Sequence, residues 1–442
     1  MATKEDIISK LKTIINPTTK QTLVESGLIS SLELNSNNVN IKLQLPKQLS
    51  DQKEAFKALI EHTLKEIPTI TVQVEININS DKNVISSEKK DNLKQIKHIL
   101  AVSSCKGGVG KSTVSVNLAF SLAQQGFKVG LFDADLYGPS LPTMVATNDD
   151  LVVDGEDIYP IKYKDIKLMS FGFTENANQS GPAILRGPMV SQIIHQLLTQ
   201  TLWGELDYLV IDLPPGTGDI QITLCQILPI TAAVIVTTPQ HISFIDVVKG
   251  IEMFDTLKVP VVGAVENMSY FETESGSKQY PFGKGALERL KSEFGFKTTL
   301  EIPLEESISN CGDTGTPFME KHTESEIAER FKIFANEVDN SVKNITQNGL
   351  NIPKVSFDEG KGILIIPEMK PAFYINAKRL RLACNSAYNK NEFTGEALVD
   401  EKDIPENIHP LSMNPVGNYA LGINWSDGHS SLYPYEQLYD LA

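Results

Sequence analysis

Apolar and polar residues alternate at Val39, Ile41, Leu43 and Leu45, and again at Val72, Val74, Ile76 and Ile78. Successive side chains of a strand point to opposite faces, so this spacing predicts two half-buried strands. Between them, residues 53–66 place Phe56, Ile60 and Leu64 at helical intervals, and residues 4–15 read as a further helix. Residues 1–80 are therefore expected to form a small α+β domain. The polar, charged residues 81–95 predict a linker.

A different texture runs through residues 96–346. Short apolar stretches at 99–102, 129–132, 208–211, 232–236 and 261–265 do not alternate, and helical segments separate them. Strands buried on both faces between helices predict an α/β domain with a mostly parallel sheet covered on both sides. Thr323 and Glu326 read as a capping box opening the last long helix. Beyond it, residues 363–366 form one apolar run, and Tyr419, Leu421, Ile423 and Trp425 alternate ahead of an Asp427-Gly428 turn. Residues 350–442 are expected to be a small β-rich domain.

The chain has 442 residues, too many for one hydrophobic core, in line with a multidomain reading. Forty Lys and Arg residues stand against 55 Asp and Glu, a net charge of -15, which argues against a nucleic-acid partner, since phosphate backbones call for a basic surface. Lys4, Glu5 and Asp6 do not suit a secretory or organellar leader, and no apolar run approaches the roughly 20 residues that span a bilayer, so the expectation is a cytoplasmic protein without a membrane partner. The four cysteines, Cys105, Cys225, Cys311 and Cys384, are too dispersed for a disulfide framework or a local metal motif.

The densest chemistry lies at Cys105-Lys-Gly-Gly-Val-Gly-Lys111-Ser112-Thr113, between an expected strand and an expected helix. Glycines there let successive amide N–H groups turn toward phosphate oxygens, and a helix N-terminus adds positive partial charge. Lys106, Gly107, Gly108, Val109, Gly110, Lys111, Ser112 and Thr113 are thus candidate ATP contacts, with Lys111 neutralising phosphate charge and Ser112 ligating magnesium. Cys105 stands where such loops usually begin with glycine. Asp133 and Asp135 follow one strand and Asp212 closes another, at the sheet edge where α/β folds bind ligands. Asp212 is the expected magnesium acid. A carboxylate at Asp133 or Asp135 suits either a water-mediated metal contact or the orientation of attacking water.

Taken with Asp133-Ala-Asp-Leu-Tyr-Gly-Pro-Ser140, Leu185-Arg-Gly-Pro-Met189, Asp212-Leu-Pro-Pro-Gly-Thr-Gly-Asp219, Thr237-Thr-Pro-Gln240 and Glu266-Asn-Met-Ser269, the loop resembles the Mrp/ApbC branch of the deviant Walker A ATPases. The three-part layout is similar to plastid-type Mrp iron-sulfur scaffolds, with a MIP18-like domain ahead of the ATPase and a γ-butyrobetaine-hydroxylase-like domain after it. That resemblance implies a slow, magnesium-dependent ATPase that works as a homodimer and delivers an iron-sulfur cluster, of the 4Fe-4S type, to apo-proteins. It further implies that Lys106 reaches the partner's ATP, that Asp135 positions water, that Asn267 holds the adenine edge, and that magnesium is held around Ser112, Asp133 and Asp212.

The pattern breaks after Glu266-Asn-Met-Ser269. Most Mrp-like ATPases carry C-x-x-C there, two copies of which hold one cluster across a dimer, whereas residues 271–284 contain no cysteine, a trait shared with the plastid-type branch. Cys384, Cys105 and Cys311 remain as weak thiolate candidates, each also readable as a small buried hydrophobe, which is how Cys225 reads in its apolar helical segment. His409 and His429 suit metal alongside Cys384, although nothing in their spacing demands it. The alternative is an ATP-switched dimer that recruits clients without carrying a cluster. Positioning ATPases of the Min and Par kind share the loop but need a membrane helix or a DNA surface, and residues 435–442 are too short and acidic for the former.

Overall fold

The structure is a computed structural model of the full chain, and it describes residues 7, 10–11, 14, 29–35, 38–46, 53–64, 67, 71–79, 92–174, 187–350, 352–368, 370–386, 388–389, 396 and 398–442. The chain divides into two compact units, Met1–Lys90 and Asp91–Ala442.

In the first unit, β1 (Ile29–Asn35) pairs antiparallel with β2 (Asn38–Pro46), and β2 pairs in parallel with β3 (Thr71–Asn79) across the crossover helix α1 (Lys53–Leu64). Alternation delivers Val39, Ile41 and Leu43 to one face, where Phe56, Ile60 and Leu64 of α1 meet them. The helix expected at residues 4–15 lies largely outside the described residues. Ile7, Lys10 and Leu11 are helical, and Ile7 and Leu11 join the same core.

The second unit holds an eight-stranded sheet in the order β15-β12-β11-β4-β10-β5-β9-β8. Its central strands are β4 (Ile96–Ser103), β5 (Val129–Asp133), β10 (Leu206–Asp212), β11 (Ala232–Thr237) and β12 (Val261–Glu266), all parallel to their neighbours. A short exposed hairpin, β6 (Val152–Asp154) with β7 (Asp157–Tyr159), precedes β8 (Ile161–Tyr163) and β9 (Ile166–Ser170). β15 (Thr299–Glu301) closes one edge, and β8 closes the other antiparallel to β9.

The unalternating apolar runs follow from burial on both faces. Leu100 and Val102 of β4 enter the core under α2 (Lys111–Gln124) and α10 (Glu326–Asn348). Ile99 and Ala101 of the same strand enter the opposite core, under α4 (Gly187–Gln200), α5 (Asp219–Ile227), α6 (His241–Thr256) and α7 (Ala286–Phe294). Three short helices, α3 (Leu141–Met144), α8 (Glu306–Thr314) and α9 (Phe318–Lys321), and a small hairpin of β13 (Phe271–Glu272) with β14 (Lys278–Gln279), complete this part.

One expectation is corrected. The cap of α10 is Ser325, whose Oγ accepts the Ala328 N–H at 3.2 Å, not Thr323, because Ser325 carries the extended torsions (φ -72°, ψ 154°) that a cap needs and Glu326 is already the first helical residue.

The C-terminal part of this unit carries two antiparallel three-stranded sheets. The first is β16 (Lys354–Asp358), β17 (Gly362–Ile366) and β18 (Phe373–Ile375), leading into α11 (Ala377–Leu382). The second is β19 (Pro410–Val416), β20 (Ala420–Trp425) and β21 (Ser430–Pro434), followed by α12 (Tyr435–Asp440). The Asp427-Gly428 turn joins β20 to β21, with Gly428 at φ +82°. Among the described residues no helix is long and apolar enough to cross a membrane.

Candidate functional site: a phosphate loop at the carboxyl edge of the sheet

The chain turns between the end of β4 and Lys111, the first residue of α2. Gly110 admits no other residue, since its φ is +84° and a Cβ there would lie 2.1 Å from Asn267 Nδ2. That same amide donates to Val109 O at 2.9 Å, while Ser104 Oγ donates to Lys106 O at 2.8 Å, so the loop is braced from both sides. The first turn of α2 contains no acidic residue, which leaves its N-terminal N–H groups and positive partial charge facing the loop.

Parallel register places Asp212 at the end of β10 between Val102 of β4 and Asp133 of β5. Three side chains of α2 converge on it. Lys111 Nζ lies 2.6 Å from Asp212 Oδ1, Ser112 Oγ donates to Oδ2 at 2.6 Å, and Ser115 Oγ donates to Oδ1 at 2.7 Å. Lysine and carboxylate are both buried, at 7% and 4% side-chain exposure, so their attraction is little screened by water.

Asp133 is deeper still and faces the loop that follows it. Its Oδ1 accepts the Asp135 N–H at 3.0 Å, and its Oδ2 accepts from Ser140 N at 3.0 Å, Leu141 N at 3.2 Å and Ser170 Oγ at 3.2 Å. Burial, then the neighbouring Asp212 charge, raise its carboxyl above the ordinary range against the pull of those amides. Asp133 thus anchors the segment carrying Asp135, whose own Oδ1 accepts from Tyr137 N and Gly138 N at 3.2 Å each.

Lys106 pairs with Asp246 of α6, Nζ to Oδ2 at 3.1 Å, and Lys249 approaches the other oxygen of that carboxylate at 3.4 Å. Next to Lys106, Cys105 lies against Gly250 on the same helix, and burial pushes its thiol up to about 11. Glu266, at the end of β12, accepts the Leu287 N–H at 2.9 Å and is pushed by burial up to about 7. Of the Leu185-Arg-Gly-Pro-Met189 block, residues 185 and 186 lie outside the described residues.

The thiols are not brought together. All four are free; Cys225 is in α5, Cys311 in α8, and Cys384 just beyond α11, each buried. Among the described residues no three His, Cys, Asp or Glu side chains converge in a way that would hold a metal. Cys384 does meet His429, Sγ to Nε2 at 3.4 Å, with Ser386 Oγ 3.4 Å from the sulfur and 3.3 Å from the same nitrogen. His409 is exposed elsewhere, its Nδ1 3.0 Å from Asn407 O.

Ser115, Asp246 and Gly250 are parts of the site that sequence reasoning did not find. Ser115 had a signal, standing four residues beyond Lys111 on one helix face. Asp246 and Gly250 had none, since only the fold brings α6 to the loop.

The profile of the NUBPL iron-transfer P-loop NTPases within the ParA group matches residues 95–339, that of iron-sulfur cluster assembly proteins residues 4–77, and that of the γ-butyrobetaine hydroxylase-like N-terminal domain residues 351–439. The rice (Oryza sativa subsp. japonica) protein named Fe-S cluster assembly factor HCF101, chloroplastic, is 43% identical over 98% of this chain and 82% of its own length. An iron-sulfur cluster carrier protein of Haemophilus influenzae is 41% identical over 73% of this chain and 88% of its own length. A solved nucleotide-binding protein of Archaeoglobus fulgidus, in complex with ADP, is 37% identical, covering 56% of this chain and 98% of that one with a TM-score of 0.48. With a phosphate loop braced on an eight-stranded sheet and a profile match across more than half its length, this chain belongs to the NUBPL iron-transfer P-loop NTPase family.

Proposed function

We propose that the chain is an ATP-binding and ATP-hydrolysing iron-sulfur cluster carrier that acts as a homodimer and hands its cargo to apo-proteins. The nucleotide half rests on one observation: Lys111, Ser112 and Asp212 converge within 2.6 Å contacts beside a glycine loop that no side chain could enter at Gly110. The cargo half rests on similarity to a named assembly factor over 98% of the chain and to a named carrier over 73%.

The donor set fits magnesium, a hard cation that takes oxygen ligands and keeps several waters. Ser112 and Asp212 would hold it, and once bound it would neutralise charge on the β and γ phosphates. Lys111 exchanges its Asp212 contact for phosphate oxygens, while the loop amides and the α2 N-terminus orient the triphosphate. Asp135, fixed by the Asp133 anchor, positions the attacking water. Lys106 leaves Asp246 and reaches the γ-phosphate of the partner subunit, where an ammonium stabilises developing negative charge. Asn267, whose amide donates to Val109 O, would hold the adenine edge.

Calorimetric titration of the full chain with magnesium and ATP should give saturable binding, and no heat from folded protein would sink the nucleotide assignment. Anaerobic reconstitution with iron and sulfide should give visible-range absorption that moves to an apo-acceptor. A second reading, an ATP-switched scaffold without its own cluster, is favoured by the cysteine-free segment 271–284 and by the scattered thiols. It would prevail if cysteine-free protein still captured apo-acceptors and reconstitution left no absorption.

A further inference from the structure

Helix α6 touches both ends of a long connection. Near its start, Asp246 holds Lys106 at 3.1 Å. One turn on, a Cβ added at Gly250 would lie 2.4 Å from Cys105 Sγ, so the thiol occupies the space a side chain at 250 would fill. In its last turn, Asp255 Oδ1 accepts the Gly417 N–H at 2.7 Å, from the turn between β19 and β20. Around that bond Tyr419 packs edge-to-face on Phe294 and at a tilt on Phe296, with ring centroids 5.7 and 5.5 Å away, and a Cβ at Gly295 would meet Pro434 at 2.8 Å.

From Asp246 to Asp255 is about 13 Å along a helix rising 1.5 Å per residue. Sharp kinks in helices fall at prolines, Gly/Ser pairs or bulges, and between Asp246 and Asp255 α6 holds no proline and a single glycine, Gly250, packed against the Cys105 thiol. A displacement imposed at Asp255 therefore arrives at Gly250 and Asp246. The thiol at position 105 makes the far end of this connection tight: where the usual glycine would leave a gap between loop and helix, Cys105 fills it.

We propose that α6 is a strut through which the C-terminal β sheets set the phosphate loop, with Cys105 as its contact on the loop and Asp255 as its contact on the C-terminal part. This rests on the nucleotide reading above only for its functional consequence. Any partner that loads or shifts the β19–β21 sheet would thereby change nucleotide affinity, and nucleotide would change the partner's affinity by the same factor.

Two readouts on the full-length protein test it. In the first, magnesium-ATP affinity is measured for Gly250→Ala in two backgrounds. With Cys105 present the added methyl should weaken binding about tenfold, and in the Cys105→Gly background the same change should cost less than about threefold, which is the non-additivity that direct contact requires. Asp255→Ala should weaken binding about fivefold, and Asp255→Asn, which keeps an acceptor for Gly417 N–H, less than about twofold.

The second readout needs no nucleotide. The rate at which a thiol reagent modifies Cys105, taken as the difference from Cys105→Ser, should rise about fivefold in Asp255→Ala, because the hole at Gly250 loosens. Additive effects in the cycle, together with a Cys105 rate indifferent to Asp255→Ala, would overturn the strut. Absent ATP binding with a coupled Cys105 rate would leave the strut standing and remove the nucleotide reading instead.

Discussion

The carboxyl rim of the large sheet and the polar cluster beyond α11 both bury ionisable chemistry, yet they solve the cost of burial in opposite ways. At the rim, Asp212 is matched by Lys111 and by two hydroxyls, in a place where an unpaired charge would be costly. In the C-terminal part, Cys384, Ser386 and His429 make a cluster of hydrogen-bonding donors and acceptors, and burial followed by the nearby Arg381 charge lowers the histidine from its ordinary value. The first arrangement is poised to exchange one charged partner for another, as phosphate binding demands. The second contains no ion pair of its own, and its histidine is held toward the neutral form.

Removing Lys111 breaks the contrast most severely. Lys111→Ala should abolish ATP turnover, because phosphate charge loses its principal side-chain partner, and it should also cost about 3–5 kcal/mol of stability by leaving Asp212 buried without a cation. Turnover assays paired with denaturant melts check both parts, and undiminished turnover would refute the site. Lys106→Ala separates catalysis from stability within the same rim. Its partner Asp246 is one-quarter exposed, so stability should change little, while turnover drops on the order of 10²-fold through loss of a charge supplied in the transition state. Hydrolysis at the wild-type rate would exclude a lysine acting on the partner's nucleotide.

Cys384→Ala tests the other half of the comparison. A loss of iron after anaerobic reconstitution beyond that of Cys225→Ala, whose thiol burial in α5 pushes up to about 12, would place a ligand at Cys384. Equal iron in both variants would move the cargo away from the Cys384–His429 pair.

The rim was legible in the chain because its chemistry is contiguous. Lys106, Lys111 and Ser112 fall within one loop, and Asp133 and Asp212 each close an apolar run whose lack of alternation betrays burial on two faces. The C-terminal cluster was half legible. Cys384 and His429 were both noticed, but their meeting depends on the packing of α11 against the β20–β21 turn, which no periodicity encodes. The cap of α10 was misplaced for a local reason: Thr323 and Ser325 both offer a hydroxyl ahead of the helix, and only the backbone torsions at Ser325 decide between them. Asp246 and Gly250 left no trace, since a carboxylate and a glycine within an apolar helix read as its solvated face and a small packing residue.

Glu266 sharpens the comparison from within the rim, because it is a buried carboxylate that accepts an amide and, among the described residues, forms no ion pair. Among the described contacts its partner is Leu287 N–H, and burial, ahead of the nearby Glu301 and Glu288 charges, pushes it up to about 7. The folded state therefore holds a proton that the unfolded chain has released, so the contribution is fully present below the ordinary glutamate range and is lost as pH rises through about 7. Glu266→Gln keeps an acceptor for Leu287 N–H and removes the titration. The stability of the wild type relative to this variant should thus fall by on the order of 1–3 kcal/mol between about pH 5 and pH 8, while the variant lacks that component of the slope. Taking the difference between the two proteins cancels Asp133, which titrates upward in both. Parallel melting curves across that range would mean that Glu266 is charged in the fold at neutral pH, and that the rim tolerates an unpaired carboxylate which Asp212, with three partners, was thought to need help to bear.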